Sequence, residues 1–393
     1  MNKAHQKHKP GAIILEGHVQ GLSNTRSLGE KGIPVYVVDK NDCIARYSKY
    51  CQKFFRAPDF IKDEFADFLV ELAEKEDIRD WVLIPSNDHA VYTISKHKKK
   101  LEQYYKVITP GLDIIDQIYD KLQLINLAKQ NNIPVPVTQS FQVVDEPVAR
   151  ELKFPVITKG RNGLSFYKAV GKKAFLAQNE SALREQLQLI DRCFNVSNSF
   201  TQEMIPLNGQ NKTISFTAFC DKGEIKAHWT GVKLREHPIQ FGTATFAQST
   251  YVEECFQHSE RLLKALNYTG VCEVEYIKDP GNEGYKLIEI NPRTWLWVGL
   301  AKACGVDYAK MIYDYVYHTD LNYSSPAVNS NCWINPFSDT AYSILHILKG
   351  KLNPITYFAT LWKGNKINAL FSKDDLKPGW IYLANIIAFL RQR

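Results

Sequence analysis

The chain has 393 residues, 45% hydrophobic and 23% charged, a composition typical of an ordinary soluble protein with two or three domains. Its 49 basic and 42 acidic residues are mixed along the chain, so the net charge of +7 is not gathered into the basic stripe that a nucleic-acid-binding protein requires. This balance fits an anionic small ligand or a weak preference for a membrane surface.

The eight cysteines are scattered, and none belongs to a Cys-x-x-Cys pair. This spacing favours neither a zinc site nor a disulfide framework, and reduced thiols predict a cytoplasmic protein. The first residues are polar rather than typical of a signal peptide, and no apolar run approaches the roughly 20 residues that span a bilayer.

The first hundred residues have the pattern of a small open α/β domain. An apolar strand at 12–16 is followed by Gly17 and Gly21, a helix near 22–31 and a second strand at 34–38. A dinucleotide-binding loop needs the spacing G-x-G-x-x-G, whereas these glycines are four residues apart. The sequence therefore predicts a Rossmann-like unit but argues against an NAD(P)-dependent oxidoreductase.

The middle of the chain alternates helical and extended patterns. Apolar spacing predicts one helix over 113–130, which residues 131–136 end with two prolines. A strand then leads to Lys159 and a glycine-bearing loop, and successive antiparallel strands follow near 214–220 and 225–230. Beyond about Leu321 the segments become aromatic, basic and amphipathic.

Two acidic strands near residue 280 carry the strongest functional signal. Residues 271–277 and 286–291 read as strands joined by a turn, so they should form a hairpin. If the turn is centred on Asn282, Glu275 lies directly opposite Glu289. Strand alternation places two sets of residues on opposite faces: Glu273, Glu275, Glu289 and Asn291 on one, and Val274, Tyr276, Ile288 and Ile290 on the other.

Facing carboxylates destabilise a sheet unless positive charge lies between them. Hard oxygen ligands on a stiff hairpin, with Arg293 nearby, indicate a divalent-metal site that also holds phosphates. The alternative is a solvated polar face above an apolar core.

Taken in order, these motifs resemble the ATP-grasp superfamily of ATP-dependent carboxylate–amine ligases, and within it the group of D-aspartate ligase and carbamoyl-phosphate synthase. The resemblance runs from about Ala12 to His318. It rests on Asp120-Lys121 with the prolines after it, the strand ending in Lys159, the segment from Gln202 to Pro206, the acidic hairpin and Arg293.

The resemblance implies a role for each motif. ATP would be bound by Lys121, Lys159, Gln202, Glu203, Met204 and Ile205; magnesium by Glu275, Glu289 and Asn291; and Arg293 would lie beside the transferred phosphate. Lys233 and Arg235 are further catalytic candidates that would hold the substrate carboxylate or the γ-phosphate, the alternative being a solvated basic strand. Gly160 departs from the family pattern, which usually has proline after the lysine, and the loop that follows is less glycine-rich than many phosphate lids.

The implied fold is ATP-grasp, combining α/β and α+β parts: a disordered tail (1–10), a Rossmann-like pre-ATP-grasp domain (11–112), an ATP-grasp domain with a lid and a central antiparallel sheet (113–320, lid about 135–200), and a helical C-terminal extension (321–393). The implied activity is Mg²⁺-dependent ligation of a carboxylate to an amine through an acylphosphate, with Mn²⁺ as an alternative metal. A non-catalytic ATP-binding regulator and a bicarbonate-using carboxylase are the rival functions.

The expected partners are small-molecule carboxylates and amines, with no nucleic acid, and homo-oligomerisation is left open. The apolar segment from Trp380 to Leu390 is too short to span a bilayer. It suggests either packing on the main body or peripheral contact with the inner face of the membrane.

Overall fold

A computed structural model of the chain describes residues 10–205, 212–238, 242–281, 284–319, 329–362 and 364–385. The N-terminal part is a parallel sheet with the strand order β3-β2-β1-β4-β5. Its strands are β1 (Ala12–Leu15), β2 (Val35–Asp39), β3 (Lys53–Arg56), β4 (Val82–Pro85) and β5 (Lys106–Val107), and its helices are α1 (Val19–Gly29), α2 (Glu64–Lys75), α3 (Asp88–Lys96) and α4 (Lys98–Leu101).

The central strands of this sheet are buried on both faces, as expected of parallel strands covered by helices. Helix α1 begins immediately after β1 and packs against the turn between them. A Cβ atom on Gly21 would lie 2.1 Å from the carbonyl oxygen of Glu16, so only glycine allows this close approach. Because β1 and β4 are neighbouring parallel strands, their carboxyl ends lie at the same edge of the sheet.

The expectation of a single helix over 113–130 is wrong, because the chain forms two helices, α5 (Leu112–Tyr119) and α6 (Lys121–Gln130). Asp120 separates them with extended backbone, and its side chain accepts hydrogen bonds from the backbone amides of Leu122 and Gln123. Asp120 also forms an ion pair with Arg161, at 2.5 Å. This N-cap positions Lys121 at the first turn of α6.

A small four-stranded sheet with the order β6-β9-β7-β8 occupies the region expected to be the lid. Its elements are β6 (Thr138–Gln139), β7 (Val156–Gly160), α7 (Gly163–Val170), β8 (Phe175–Ala177), α8 (Glu180–Phe194) and β9 (Ser199–Glu203). The expected phosphate-lid loop is thus largely the helix α7, capped by Asn162. A Cβ on Gly160 would lie 2.2 Å from the Cβ of Phe166, which explains the glycine after Lys159.

A large sheet with the order β14-β13-β10-β11-β12-β15-β16 forms the body of the protein. Its strands up to β14 are β10 (Thr213–Asp221), β11 (Glu224–His237), β12 (Thr243–Thr250), β13 (Gly270–Lys278) and β14 (Tyr285–Asn291), with α9 (Glu253–Ala265) between β12 and β13. Helices α10 (Val298–Ala303) and α11 (Tyr308–Tyr317) follow β14. One continuous core joins α10 and α11 to the N-terminal sheet and to Trp229 and Trp295.

The segment expected to be a C-terminal extension adds strands to the large sheet. Strand β15 (Cys332–Ile334) pairs with β12, and β16 (Lys366–Asn368) runs parallel to β15. The remaining elements of this segment are α12 (Pro336–Leu348), α13 (Pro354–Leu361) and α14 (Lys377–Ala384). Asp375, just before α14, forms a buried ion pair with Arg26 of α1 at 2.9 Å, so the last part of the chain is tied to the first.

Residues 1–9, for which a disordered tail was expected, lie outside the described residues, as do 386–393. No helix among the residues described above is long and apolar enough to cross a membrane.

Candidate active site

A cavity of about 950 Å³ lies where the N-terminal domain, the small sheet and the large sheet meet. Among its lining residues are eleven of the twelve sites predicted from the sequence: Lys121, Lys159, Gln202, Glu203, Met204, Ile205, Lys233, Glu275, Glu289, Asn291 and Arg293. The size suits a nucleotide-sized ligand together with a smaller one. These segments, which are distant in the sequence, therefore converge on one cleft.

The acidic hairpin has the predicted register at its functional end. Glu273 lies opposite Asn291, and Glu275 lies opposite Glu289. Beyond this point a β-bulge shifts the pairing, so the placement of Ile288 in the apolar face is wrong: Ile288 lines the cavity and Leu287 occupies the core instead. The extra residue of a bulge reverses the alternation of faces along that strand.

Each of the two facing carboxylates is paired with a lysine from a different element. Glu275 accepts a hydrogen bond from Nζ of Lys233 on β11, at 2.7 Å, and Glu289 accepts one from Nζ of Lys121 on α6, at 3.3 Å. Burial acts to raise the pKa of Glu289, but the lysines around it, Lys121 first, hold that pKa below its ordinary value. Glu289 is therefore ionised at neutral pH and available as an anionic ligand.

Lys159, at the end of β7, faces the cavity from the small sheet. Burial and the neighbouring charge of Lys121 lower the pKa of Lys159 to about 8, partly offset by Glu289. Two close lysines repel each other and attract an anion between them, so this side of the cavity is suited to phosphate groups.

The predicted hinge segment runs along the cavity wall where β9 ends. Glu203 accepts hydrogen bonds from the backbone amide of Val137, at 2.9 Å, and from Nζ of Lys286, at 2.6 Å. Lys286 also binds Asp279 at 2.7 Å, and these two partners outweigh burial and raise the pKa of Lys286. The carboxylate of Glu203 is thus fixed in orientation at the edge of the cavity. Pro206, the last residue of the predicted hinge, lies outside the described residues.

Arg293 connects the hairpin to the N-terminal domain. Its guanidinium binds both carboxylate oxygens of Asp88, at 2.9 and 3.0 Å, with the fork geometry typical of arginine. Beside it, Asn291 donates a hydrogen bond to Glu273 at 3.0 Å. Burial, together with the adjacent Glu275, raises the pKa of Glu273 to about 7. Glu273 therefore changes its protonation state near neutral pH more readily than Glu289 does.

Arg235 is not among the residues that line the cavity, so the geometry does not support the catalytic role predicted for it. The pairing between β11 and β12 shifts around Leu234, which turns Arg235 to a different face from Lys233. Its guanidinium instead binds the fully buried Asp339 of α12 at 2.7 and 2.8 Å. Arg235 is a structural ion pair, and Glu236 takes the place beside Lys233 in the cavity wall.

One lining residue that was missed from the sequence is Glu16, which directly follows β1 and contacts Gln20 in the first turn of α1. Gln20 donates hydrogen bonds to the carboxylate of Glu16, at 2.8 Å, and to the backbone carbonyl of Ser86 at the end of β4. Burial, followed by the charge of Asp39, raises the pKa of Glu16 to about 8. The rule that ligands bind at the carboxyl ends of parallel strands would have indicated Glu16, which directly follows β1.

The donor set of the hairpin fits a hard divalent cation. Glu275 and Glu289 supply carboxylate oxygens from directly opposed positions, and Asn291 supplies an amide oxygen on the same strand as Glu289. Mg²⁺ prefers such oxygen ligands and commonly shares them with phosphate groups. The lysines that pair with these carboxylates, Lys121 and Lys233, line the same cavity.

Comparisons with known proteins agree with this geometry. The family model described as "Carbamoyl-phosphate synthase L chain, ATP binding domain" matches residues 234–315, which include the whole acidic hairpin and Arg293. D-aspartate ligase of Enterococcus faecium is 26% identical over 304 residues, covering 72% of this chain and 70% of that protein. N5-carboxyaminoimidazole ribonucleotide synthase of Staphylococcus epidermidis is 28% identical, covering 73% and 71%.

Solved structures share the fold. N5-carboxyaminoimidazole synthetase from Staphylococcus aureus superposes with a TM-score of 0.63 at 19% identity, covering 81% of this chain and 80% of that one. L-amino acid ligase from Bacillus licheniformis gives a TM-score of 0.60 at 13% identity, covering 78% and 74%. A biotin carboxylase domain from Hydrogenobacter thermophilus, solved with MgADP, gives 0.63 at 17% identity, covering 82% and 74%.

The order of the motifs, their convergence on one cleft and the shared architecture lead to one conclusion. The chain is similar to ATP-grasp proteins in the segment 234–315, in its relatives D-aspartate ligase and N5-carboxyaminoimidazole ribonucleotide synthase, and in its fold, in agreement with the resemblance described from its motifs.

Proposed function

We propose that this protein is a Mg²⁺- and ATP-dependent ligase that joins a small carboxylate to an amine through an acylphosphate. The observation that carries the proposal is the opposition of Glu275 and Glu289 on a rigid hairpin, facing Lys121 and Lys159 across the same cavity. Phosphoryl transfer depends on charge neutralisation and positioning, and these four groups provide both.

The reaction has two steps. In the first, an oxygen of the substrate carboxylate attacks the γ-phosphorus of ATP, the bond to the β-phosphate oxygen breaks, and ADP leaves. In the second, the amine nitrogen attacks the acyl carbon, the carbon–oxygen bond to phosphate breaks, and the nitrogen loses its extra proton.

The residues of the chain have distinct parts in this scheme. Lys121 and Lys159 bind the polyphosphate, and Arg293, held by Asp88, neutralises charge on the transferred phosphoryl group. Gln202 to Ile205 bind the base along the cavity wall. Lys233 orients Glu275 and lines the same cavity, where it would contact the acylphosphate.

A metal held by Glu275, Glu289 and Asn291 would neutralise phosphate charge during transfer. We propose Mg²⁺ as this metal, in line with the MgADP in the biotin carboxylase domain structure, with Mn²⁺ as a functional substitute of similar ligand preference.

In this proposal the amine accepts the acyl group. The similarity to D-aspartate ligase and the shared fold with L-amino acid ligase favour an amine as the acceptor. The second candidate is an ATP-dependent carboxylase that uses bicarbonate as its carboxylate. It is favoured by the N5-carboxyaminoimidazole ribonucleotide synthase relative and by the biotin carboxylase neighbours.

An ADP-release screen tests the proposal and separates the candidates. Purified protein, MgATP and pairs of amino acids or sugar acids with amines are assayed with and without added bicarbonate in CO₂-depleted buffer, and products are identified by mass spectrometry. Ligation predicts ADP release that needs both organic substrates and no bicarbonate. Release that follows bicarbonate would favour the carboxylase, and nucleotide binding without stimulated release would favour a regulator.

The domain division proposed from the sequence, with boundaries near 112 and 320 and a lid over about 135–200, remains our working division. A cytoplasmic location and a homo-oligomeric state are also proposals. The second accords with the dimer named for the biotin carboxylase domain of Hydrogenobacter thermophilus, and light scattering of the purified protein would test it.

The proposed membrane contact of the segment from Trp380 to Leu390 has less support than its packing on the body. Helix α14 buries Pro378 and Tyr382, and Ile381 packs against the main core. Residues 386–390 lie outside the described part of the chain.

A further inference from the structure

The outer side of α12 and α13 exposes an unusual amount of apolar surface. Leu348, at the end of α12, is 79% exposed; Ile355 and Phe358 on α13 are 79% and 60% exposed, and Trp362, directly after α13, is 90% exposed. The last three are spaced three and four residues apart, so they form one stripe along α13. Large side chains exposed together mark a binding surface rather than ordinary exposure. We call these four residues the apolar stripe.

The inner side of the same two helices is firmly anchored. Arg235 of β11 binds the buried Asp339 of α12 and also donates a hydrogen bond to Thr360 of α13. Tyr357 is buried on α13, and its ring packs beneath the guanidinium of Arg235. The exposure of the apolar stripe is therefore a consequence of a fixed orientation of both helices.

The chain segment that carries the stripe has lysines but no acidic side chains. From residue 340 to residue 373 the sequence contains no aspartate or glutamate but five lysines: Lys349, Lys351, Lys363, Lys366 and Lys373. Lys349 and Lys351 lie in the turn that joins α12 to α13, immediately beside Leu348, and both are exposed. A second copy of this surface would bring lysines against lysines, which disfavours symmetric self-association. An anionic surface is the complementary partner.

We propose that the apolar stripe and the adjacent lysines bind the surface of an anionic phospholipid bilayer. Tryptophan, phenylalanine and aliphatic side chains beside lysines are the combination that inserts into the boundary between headgroups and acyl chains. None of the described residues of α12 or α13 lines the catalytic cavity, so docking through this surface leaves the cavity accessible. The binding is peripheral and independent of the proposed ligase activity.

Co-sedimentation of the full chain with vesicles tests the proposal. Vesicles of phosphatidylglycerol and phosphatidylcholine are compared with vesicles of phosphatidylcholine alone, at low and high salt. The wild-type protein should sediment with the anionic vesicles, and salt should weaken the binding. Phe358→Ser with Trp362→Ser should reduce partitioning at least tenfold, and Lys349→Glu with Lys351→Glu should reduce it to a similar degree.

Matched controls separate this surface from general hydrophobicity and from the end of the chain. Val143→Ser with Leu189→Ser removes exposed apolar groups elsewhere, and Trp380→Ser with Leu383→Ser alters α14. Both double variants should bind vesicles as the wild type does. Circular dichroism and nucleotide binding confirm that every variant is folded.

Three outcomes would overturn the proposal: no sedimentation of the wild type with anionic vesicles, unchanged binding in the stripe variants, or loss of binding in the α14 variant alone. A concentration-dependent oligomer that the stripe substitutions abolish, in the absence of vesicle binding, would assign the surface to protein association instead.

Discussion

Lys233 of β11 and Glu275 of β13 form a buried ion pair at 2.7 Å across the intervening strand β10, and both residues line the cavity. Both side chains are about nine-tenths buried, at 9% and 12% exposure. Burial lowers the pKa of Lys233, but Glu275 and Glu273 outweigh burial and raise it, so the lysine stays charged. Arg235 lies on the same strand, two residues after Lys233, but its ion pair with Asp339 lies outside the cavity lining.

The position of the Arg235–Asp339 ion pair outside the cavity lining gives the first prediction. Arg235→Met leaves Asp339 buried with no cationic partner, which should destabilise the fold by about 3–5 kcal/mol. The activity of the molecules that remain folded should change little, because Arg235 does not line the cavity. Urea unfolding measures the stability, and steady-state ADP release measures the activity.

The double variant Arg235→Met with Asp339→Asn is the control for this experiment. Removing both charges should lower the free energy of unfolding less than removing the arginine alone, because no buried charge is left unpaired. A catalytic defect in Arg235→Met at full stability would instead return this arginine to the active site.

Lys159→Ala should weaken ATP binding by about 10–100-fold, because a charge-assisted hydrogen bond to phosphate contributes roughly 1.5–3 kcal/mol. Isothermal titration calorimetry with the non-hydrolysed product ADP measures the affinity. Lys168→Ala removes an exposed lysine from helix α7, which follows β7 in the chain. This variant should bind ADP as tightly as the wild type does. Equal affinities for the two variants would remove Lys159 from the phosphate site.

Glu16 should make the stability of the protein depend on pH. Its pKa is raised in the folded state from 4.5 to about 8, so the folded protein binds more protons than the unfolded chain between these values. Stability from this group is therefore fully present below pH 4.5 and is lost as the pH rises towards 8. The loss should be on the order of 2 kcal/mol, since Glu16 is partly solvent-exposed.

Glu16→Gln removes the titration while keeping the hydrogen-bonding shape, so the free energy of unfolding should decline less between pH 5 and pH 8.5 than in the wild type. Chemical denaturation at several pH values gives the comparison, with the exposed Glu260→Gln as the control. Parallel curves for Glu16→Gln and the wild type would contradict the raised pKa.

The sequence predicted those parts of the site that depend on regular alternation. The opposition of Glu275 and Glu289 follows from counting along two strands about a turn, and the structure has that register. The calculation fails where a bulge adds one residue, as it does at Ile288 and at Leu234. No property of those side chains marks them as bulged, because the bulge is set by pairing with the neighbouring strand.

Contacts between distant segments were also beyond prediction from local patterns. Asp120, between two helices, forms an ion pair with Arg161, which is 41 residues away in the chain. Arg26 and Asp375 are 349 residues apart in the chain and still form a buried pair. Such pairs arise from the packing of whole domains, whereas helix and strand patterns report only which face of each element is apolar.

The binding of magnesium nucleotide to Glu289→Gln tests the central claim most directly. In the wild type, calorimetry should show that Mg²⁺ strengthens the binding of ADP, because Glu275, Glu289 and Asn291 would hold the metal beside the phosphates. In Glu289→Gln this strengthening should disappear and ADP release should fall by at least a hundredfold, while thermal unfolding remains cooperative and Glu260→Gln behaves as the wild type. An undiminished effect of Mg²⁺ and unchanged turnover in a folded Glu289→Gln would contradict the account.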